Sequence, residues 1–117
     1  MLKLITVFLL AAIGLMAFDA TGTWRGTIKY DDQDHSGPAH MVLKQEGERL
    51  SGTAGPNAEN QFAITEGKAS GGNLTFEIVD HGMTFALKLE GDRISGKVVR
   101  NLDGETRTAT IDLKRQP

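Results

Sequence analysis

From Trp24 onward, apolar residues recur at every second position. Trp24, Ile28 and Tyr30 alternate with Arg25, Thr27 and Lys29, and Phe76 and Ile78 follow Leu74. Met83, Phe85, Leu87 and Leu89 alternate with Thr84, Ala86 and Lys88, and Ile111 and Leu113 follow Ala109. A period of two is that of a strand with one buried face. After the first 18 residues no window sustains the i, i+3, i+4, i+7 stripe of a helix. Turn-forming groups break the alternation at Glu46-Gly47-Glu48, Ser70-Gly71-Gly72-Asn73, His81-Gly82, Glu90-Gly91-Asp92 and Asp103-Gly104. The pattern predicts eight strands, near 22–30, 39–46, 49–55, 61–68, 73–80, 83–90, 93–100 and 106–115. Connections this short make neighbours antiparallel, and an eight-stranded meander removes its edges by closing. The predicted fold is all-β: a single eight-stranded antiparallel up-and-down barrel.

A short internal repeat supports the hairpins. Glu46-Gly47-Glu48-Arg49-Leu50-Ser51-Gly52 returns 44 residues later as Glu90-Gly91-Asp92-Arg93-Ile94-Ser95-Gly96. Each copy is a tight turn followed by an inward apolar residue and, two positions on, an inward glycine. A missing side chain there lets the sheet coil or admits a bulky neighbour.

The first residues follow another rule. Met1-Leu2-Lys3 is a short basic start, and Leu4 to Phe18 is apolar apart from Thr6 and Gly14. That run is shorter than the roughly 20 residues a membrane span needs. It reads as a signal peptide over 1–17, cut after Ala17, with Gly14 and Ala20 as the other small candidates. A retained anchor is the alternative. Residues 18–117 are then one barrel domain, secreted or periplasmic, with no membrane insertion of the mature chain.

Composition narrows the functional classes. The 117 residues carry 13 Lys and Arg against 15 Asp and Glu. Removing Lys3 leaves 12 basic residues and a net charge of about −3, so nothing electrostatic points to nucleic acid. Aromatics make up 6% of the chain and fall on the inner face, which offers no stacking platform for single strands. The absence of Cys excludes disulfides, thiol nucleophiles, thiolate metal sites and a lipid-attachment cysteine.

The inner face by parity holds Trp24, Ile28, Met41, Leu43, Leu50, Ala54, Phe62, Ile64, Leu74, Phe76, Ile78, Met83, Phe85, Leu87, Leu89, Ile94, Val98, Ala109, Ile111 and Leu113. An eight-stranded barrel is just wide enough for its side chains or for one small ligand. Strands of 7–10 residues bearing this set predict a packed lower half and a shallow cup above it.

Thr21-Gly22-Thr23-Trp24 opens the first strand. A Gly-x-Trp at that place resembles the lipocalin and avidin-type barrels of the calycin group. The resemblance implies that Trp24 plugs the closed end and that a basic residue at the end of the last strand covers it. Arg115 shares the inward parity of Ala109, Ile111 and Leu113, so Gly22, Trp24 and Arg115 are the expected closing residues, with a cation–π stack between the last two. The chain as a whole is similar to small exported one-domain bacterial barrels, through Gly22–Gly26, Glu46–Thr53 and Glu66–Lys68. That likeness implies fold and export, and no particular activity. Unlike lipocalins the chain has no C-terminal helical segment and no disulfide. Biotin-binding barrels line their pocket with several Trp and this chain has one, so biotin is not expected.

Chain direction sorts the loops. The turns at 46–49, 68–73 and 90–93 lie at the Trp24 end, and the connections at 31–38, 55–61, 80–82 and 101–105 lie at the other, more open end. Parity turns Tyr30, Asp80, Arg100 and Arg107 inward near that mouth, with His35, Asn60 and His81 in loops above. Tyr30, Asp80, His81, Arg100 and Arg107 are therefore the candidate ligand-binding residues. Two guanidiniums suit a carboxylate or phosphate. The structural alternative is a capping salt bridge from Asp80 to Arg100 or Arg107, with Tyr30 hydrogen-bonded across it.

The remaining chemistry is thin. Glu66 is inward by parity at the closed end, reaching solvent or pairing with Arg115. Asp31, Asp32, Asp34 and His35 are weak metal candidates, but the run lacks calcium-loop spacing and reads as a solvated loop. His40 is outward on the second strand. Ser36, Ser51, Ser70 and Ser95 fall on turns or outward positions, with no Gly-x-Ser-x-Gly. No cofactor is expected, and an enzyme ranks last. The leading expectation is an exported, non-catalytic barrel that binds a small ligand, an anion being one option, at its open end. The alternative is a filled barrel acting as a structural or protein-interaction domain. Outward Val79, Ala86 and Val99 would form its patch, and the chain would be a monomer or weak homodimer.

Overall fold

The computed structural model describes residues 18–117. The segment 1–17, read above as a signal peptide, lies outside the described residues. Nine strands follow: β1 Gly22–Tyr30, β2 Gly37–Glu46, β3 Arg49–Asn57, β4 Asn60–Ala63, β5 Thr65–Ser70, β6 Asn73–Ile78, β7 Met83–Glu90, β8 Arg93–Leu102 and β9 Glu105–Arg115. A single 3-10 turn, Val79–His81, separates β6 from β7. Eight strands close an antiparallel ring in the order β1, β2, β3, β5, β6, β7, β8, β9 and back to β1, and β4 is an additional strand on β3. Among the described residues no helix is long and apolar enough to cross a membrane.

Both copies of the repeat form tight hairpins. Glu46 pairs with Arg49 and Glu90 with Arg93, around Gly47 and Gly91 with φ of 63° and 62°. Glycine tolerates that left-handed conformation at no steric cost. Gly52 has a different task. A Cβ placed on it would stand 1.9 Å from the Val42 carbonyl oxygen of β2, so the strands cross more closely there than any side chain permits.

The alternation places the core as expected, with instructive exceptions. Trp24, Met41, Leu43, Leu74, Phe76, Ile94, Val98, Ile111 and Leu113 are all buried. Phe76 and Phe85 stack with ring centroids 4.5 Å apart. Ala20, Ala39 and Ala69 join the core.

The stretch read as one strand over 61–68 is two strands, divided at Ile64. Thr65 faces Glu77 while Lys68 faces Thr75, so β5 carries one residue more than β6 between these pairs. An extra residue makes a bulge and flips the parity beyond it. The buried positions consequently change from Ile64 to Ala69. Glu66 sits in the bulge with φ of 54° and is exposed, so its expected inward placement is corrected. Phe62 is 39% exposed rather than core.

The strand read as 73–80 ends at Ile78, where the chain turns through Val79–His81 into Gly82 (φ 62°). His40, expected at the surface, is buried on the outside of the barrel. Arg25 Nε donates to its Nδ1 at 3.4 Å, and Pro56–Glu59 of the β3–β4 hairpin border the same groove. Gln61 pins that hairpin, donating from Nε2 to the carbonyls of His40 (3.0 Å) and Asn57 (2.8 Å).

Candidate functional site

The barrel's two ends differ in chemistry. At the Trp24 end, residues 19–21 fold across the opening. Trp24 Nε1 donates to the Ala20 carbonyl at 2.9 Å, and Gln45 Oε1 accepts from the Ala20 amide at 2.9 Å. The Arg115 guanidinium stands 4.4 Å from the Trp24 ring centroid. It donates to Asp92 Oδ1 at 3.0 Å, to the Asp19 carbonyl at 2.9 Å and to the Thr21 carbonyl. A Cβ on Gly22 would come within 3.1 Å of Arg115 Nη1, so the glycine makes room for the guanidinium. The cation–π stack expected between Trp24 and Arg115 is therefore present, with Asp92 rather than Glu66 as the carboxylate partner. Hydrogen bonds from the Thr21 side chain and amide, aided by Arg115, hold the Asp19 carboxyl below its ordinary pKa.

The opposite end holds a cup of about 190 Å³. Its floor is Ile28, Met41, Phe85 and Ile111, and its walls include Ala39, Ala54, Ile78 and Met83. Pro38, Pro56 and Phe62 complete the mouth. Position along the strands explains this. Tyr30 ends β1, Ala39 lies among the first residues of β2, Ile78 ends β6 and Met83 begins β7, so the cup lies above the last filled layer of the core. Three side chains with strong polar groups line it: Tyr30, His81 and Arg100. None of the described lining residues is Asp, Glu, Lys, Ser or Thr.

Arg100 follows Val98 on the inner face of β8, between Met83 of β7 and Arg107 of β9. Its Nε is buried and has no hydrogen-bond partner among the described residues. Arg107 is engaged differently. Its guanidinium stacks 4.3 Å from the Tyr30 ring centroid and donates to Asp32 Oδ1 at 3.0 Å. This pairing raises the Arg107 pKa and lowers that of Asp32. His81 packs its ring 4.2 Å from that of Phe62.

Of the five candidate residues, the structure gathers Tyr30, His81 and Arg100 into the cup. Arg107 stands outside its lining, behind Tyr30. Asp80 departs from the expected placement: it lies on the 3-10 turn, exposed, on the outer seam with Gln61, Ala63 and Val79. Its parity was lost when β6 ended two residues early. Neither expected salt bridge from Asp80 forms among the described residues; Asp32 takes Arg107 instead. The sequence marks Asp32 only as a weak metal candidate, and the 31–36 loop carries no local signal for this partner. Asp31 accepts from the Thr108 hydroxyl, so both carboxylates brace the loop against β9. Val79 is on the turn rather than beside Ala86 and Val99, which divides the outward patch. No protein-family model, curated protein or solved structure matches the chain.

Proposed function

We propose that the chain is an exported, non-catalytic binding module that takes a small ligand in the cup at the open end of its barrel. The observation that carries this reading is the cup itself: an apolar hollow above a filled core, with three polar side chains converging on it. Binding sites in small barrels have this form, an apolar cavity with a few placed polar groups. Among the described residues its lining holds no Ser, Thr, Lys, Asp or Glu. Export rests on the apolar leader-like run at 1–17. A lipocalin-like, calycin-type kinship is part of the proposal, and the Trp24–Arg115 closure supports it.

Native mass spectrometry of the mature chain, purified gently from its own host, tests the reading. A reproducible extra mass released on unfolding is the expected result. An apo monomer that also takes up no small molecule on titration overturns it.

A second reading has its own observation. Val79 is 65% exposed and Leu102 and Phe62 are each 39% exposed, all near the open end. An apolar rim of this kind suits docking to another protein. Co-purification of a protein that is lost on Val79→Glu, with the cup empty, would favour it.

A further inference from the structure

We infer that the ligand of the cup is a compact organic monocarboxylate, of one ring or a short branched chain, whose carboxylate is held by Arg100. The inference rests on the proposed cup reading and specifies its chemistry.

The first step is charge. Two arginines reach this end of the barrel, but only one is available. Arg107 is already neutralised by Asp32 and stacked on Tyr30. Arg100 has a buried Nε with no partner and forms no ion pair among the described residues. The other polar side chains of the cup are Tyr30 and His81, and no carboxylate of the described residues lines it. The cup therefore presents the Arg100 guanidinium without a protein carboxylate to match it, beside apolar walls. One guanidinium matches one carboxylate, by the planar bidentate geometry that arginine favours. A phosphate dianion would need the second guanidinium, which Asp32 has taken.

The second step is size. An apolar cavity of about 150 Å³ in another protein binds benzene. Drug-sized ligands use roughly 300–1,000 Å³. A cup of about 190 Å³ fits one ring or its aliphatic equivalent. The floor of Ile28, Met41, Phe85 and Ile111 stops a longer chain from running deeper.

The third step is energetic. A buried donor left unpaired destabilises the empty protein. A residue that serves the fold would be expected to bring its own partner, as Arg107 and Arg115 do. Arg100 lacks one, although its side chain lines the cup.

The experiment is a titration of residues 18–117 with benzoate, hexanoate, benzamide, palmitate and inorganic phosphate. It is followed by amide chemical shifts and repeated on Arg100→Met and Arg107→Met. Benzoate and hexanoate are expected to shift resonances of Met83, Phe85 and Ile111, with benzamide at least tenfold weaker and phosphate silent. Arg100→Met should weaken benzoate by about ten- to a hundredfold, as loss of a charge-assisted contact does. It should also leave the melting temperature of the empty protein unchanged or raised, an outcome a structural arginine would not give. Arg107→Met should keep benzoate binding within a few-fold.

Equal binding of benzamide and benzoate overturns the carboxylate assignment and leaves the cup reading standing. Tighter binding of palmitate overturns the size limit, and binding of phosphate overturns the head-group choice. A lowered melting temperature in Arg100→Met, with benzoate binding retained, makes Arg100 structural. Silence toward every probe overturns this inference; the host-purified mass measurement then decides separately whether the cup is a site at all.

Discussion

The Arg115 guanidinium covers the Trp24 indole at 4.4 Å, and the two residues face each other in the β1–β9 register. One cation thus joins the first strand, the last strand, the β7–β8 turn through Asp92 and the segment before β1 through two carbonyls. Arg115→Ala should cost about 1–2 kcal/mol, from the lost cation–π contact and the stranded acceptors. Arg115→Lys should recover less than half, because an ammonium has no planar fork. Trp24→Ala should cost about 3–5 kcal/mol, as large buried aromatics do. Urea unfolding followed by far-UV circular dichroism measures all three.

Gly52 and Gly47 occupy the same hairpin but should respond differently to alanine. A Cβ on Gly47 meets nothing within 4 Å, and the only penalty is its φ of 63°. Gly47→Ala should cost about 1 kcal/mol. Gly52→Ala drives a methyl into the Val42 carbonyl and must displace a strand, so a loss of about 2–4 kcal/mol is expected. Equal melting temperatures for the two variants would show that β2 and β3 separate at little cost.

The segment 18–20 belongs to the fold, because Ala20 is fully buried and its carbonyl accepts the only indole N–H in the chain. A chain beginning at Thr21 should be about 1–3 kcal/mol less stable than one beginning at Phe18, from the unpaired indole and the lost Asp19 acceptor. Under the export proposal, the intact mass of the mature protein should correspond to a first residue of Phe18. A mass beginning at Thr21, with unchanged stability, would remove the structural role of the cap.

Acid should weaken the barrel through specific carboxylates. Arg93 hydrogen-bonds Asp112 and holds its carboxyl below the ordinary value. A carboxyl depressed in the folded state stabilises above its unfolded pKa, roughly 3.9, and that contribution disappears as pH falls through the lower folded value. Urea stability should therefore decline below about pH 4. Asp112→Asn should start lower at pH 7 and decline less steeply. The pair is largely exposed, so the difference should shrink in high salt.

The barrel was legible because burial on a single face writes a period of two into the chain. Trp24, Phe76, Leu87 and Ile111 all declare their side in this way. The closing stack was legible because two residues at opposite chain ends share parity and strand end. The bulge was not. Thr65-Glu66-Gly67 carries no apolar residue to mark a change of face, so the alternation of Phe62 and Ile64 points on to Glu66 although the bulge has already turned it outward. Asp80 failed for a related reason. The glycine at 82 absorbs a left-handed turn, and β6 yields to it before Asp80 can face inward. The Asp32–Arg107 pair spans 75 residues and depends on a loop whose path no local pattern specifies. Arg100 kept its inward parity because Val98 and Ile94 hold β8 in register on both sides of Gly96.

The ring closes only where β1 meets β9, and Trp24 and Arg115 are 91 residues apart along the chain. Every other wall contact of the meander is made between near neighbours in sequence. Seven of the eight ring strands can therefore pair locally while two long edges stay open, and the eleven residues of β9 seal both at once. In kinetic terms the slow step is a long loop closure made late, and nothing before it gives a finished molecule. A chain that emerges from its amino end must wait for β9, and a truncation before Glu105 should yield an open, aggregation-prone sheet rather than a smaller barrel.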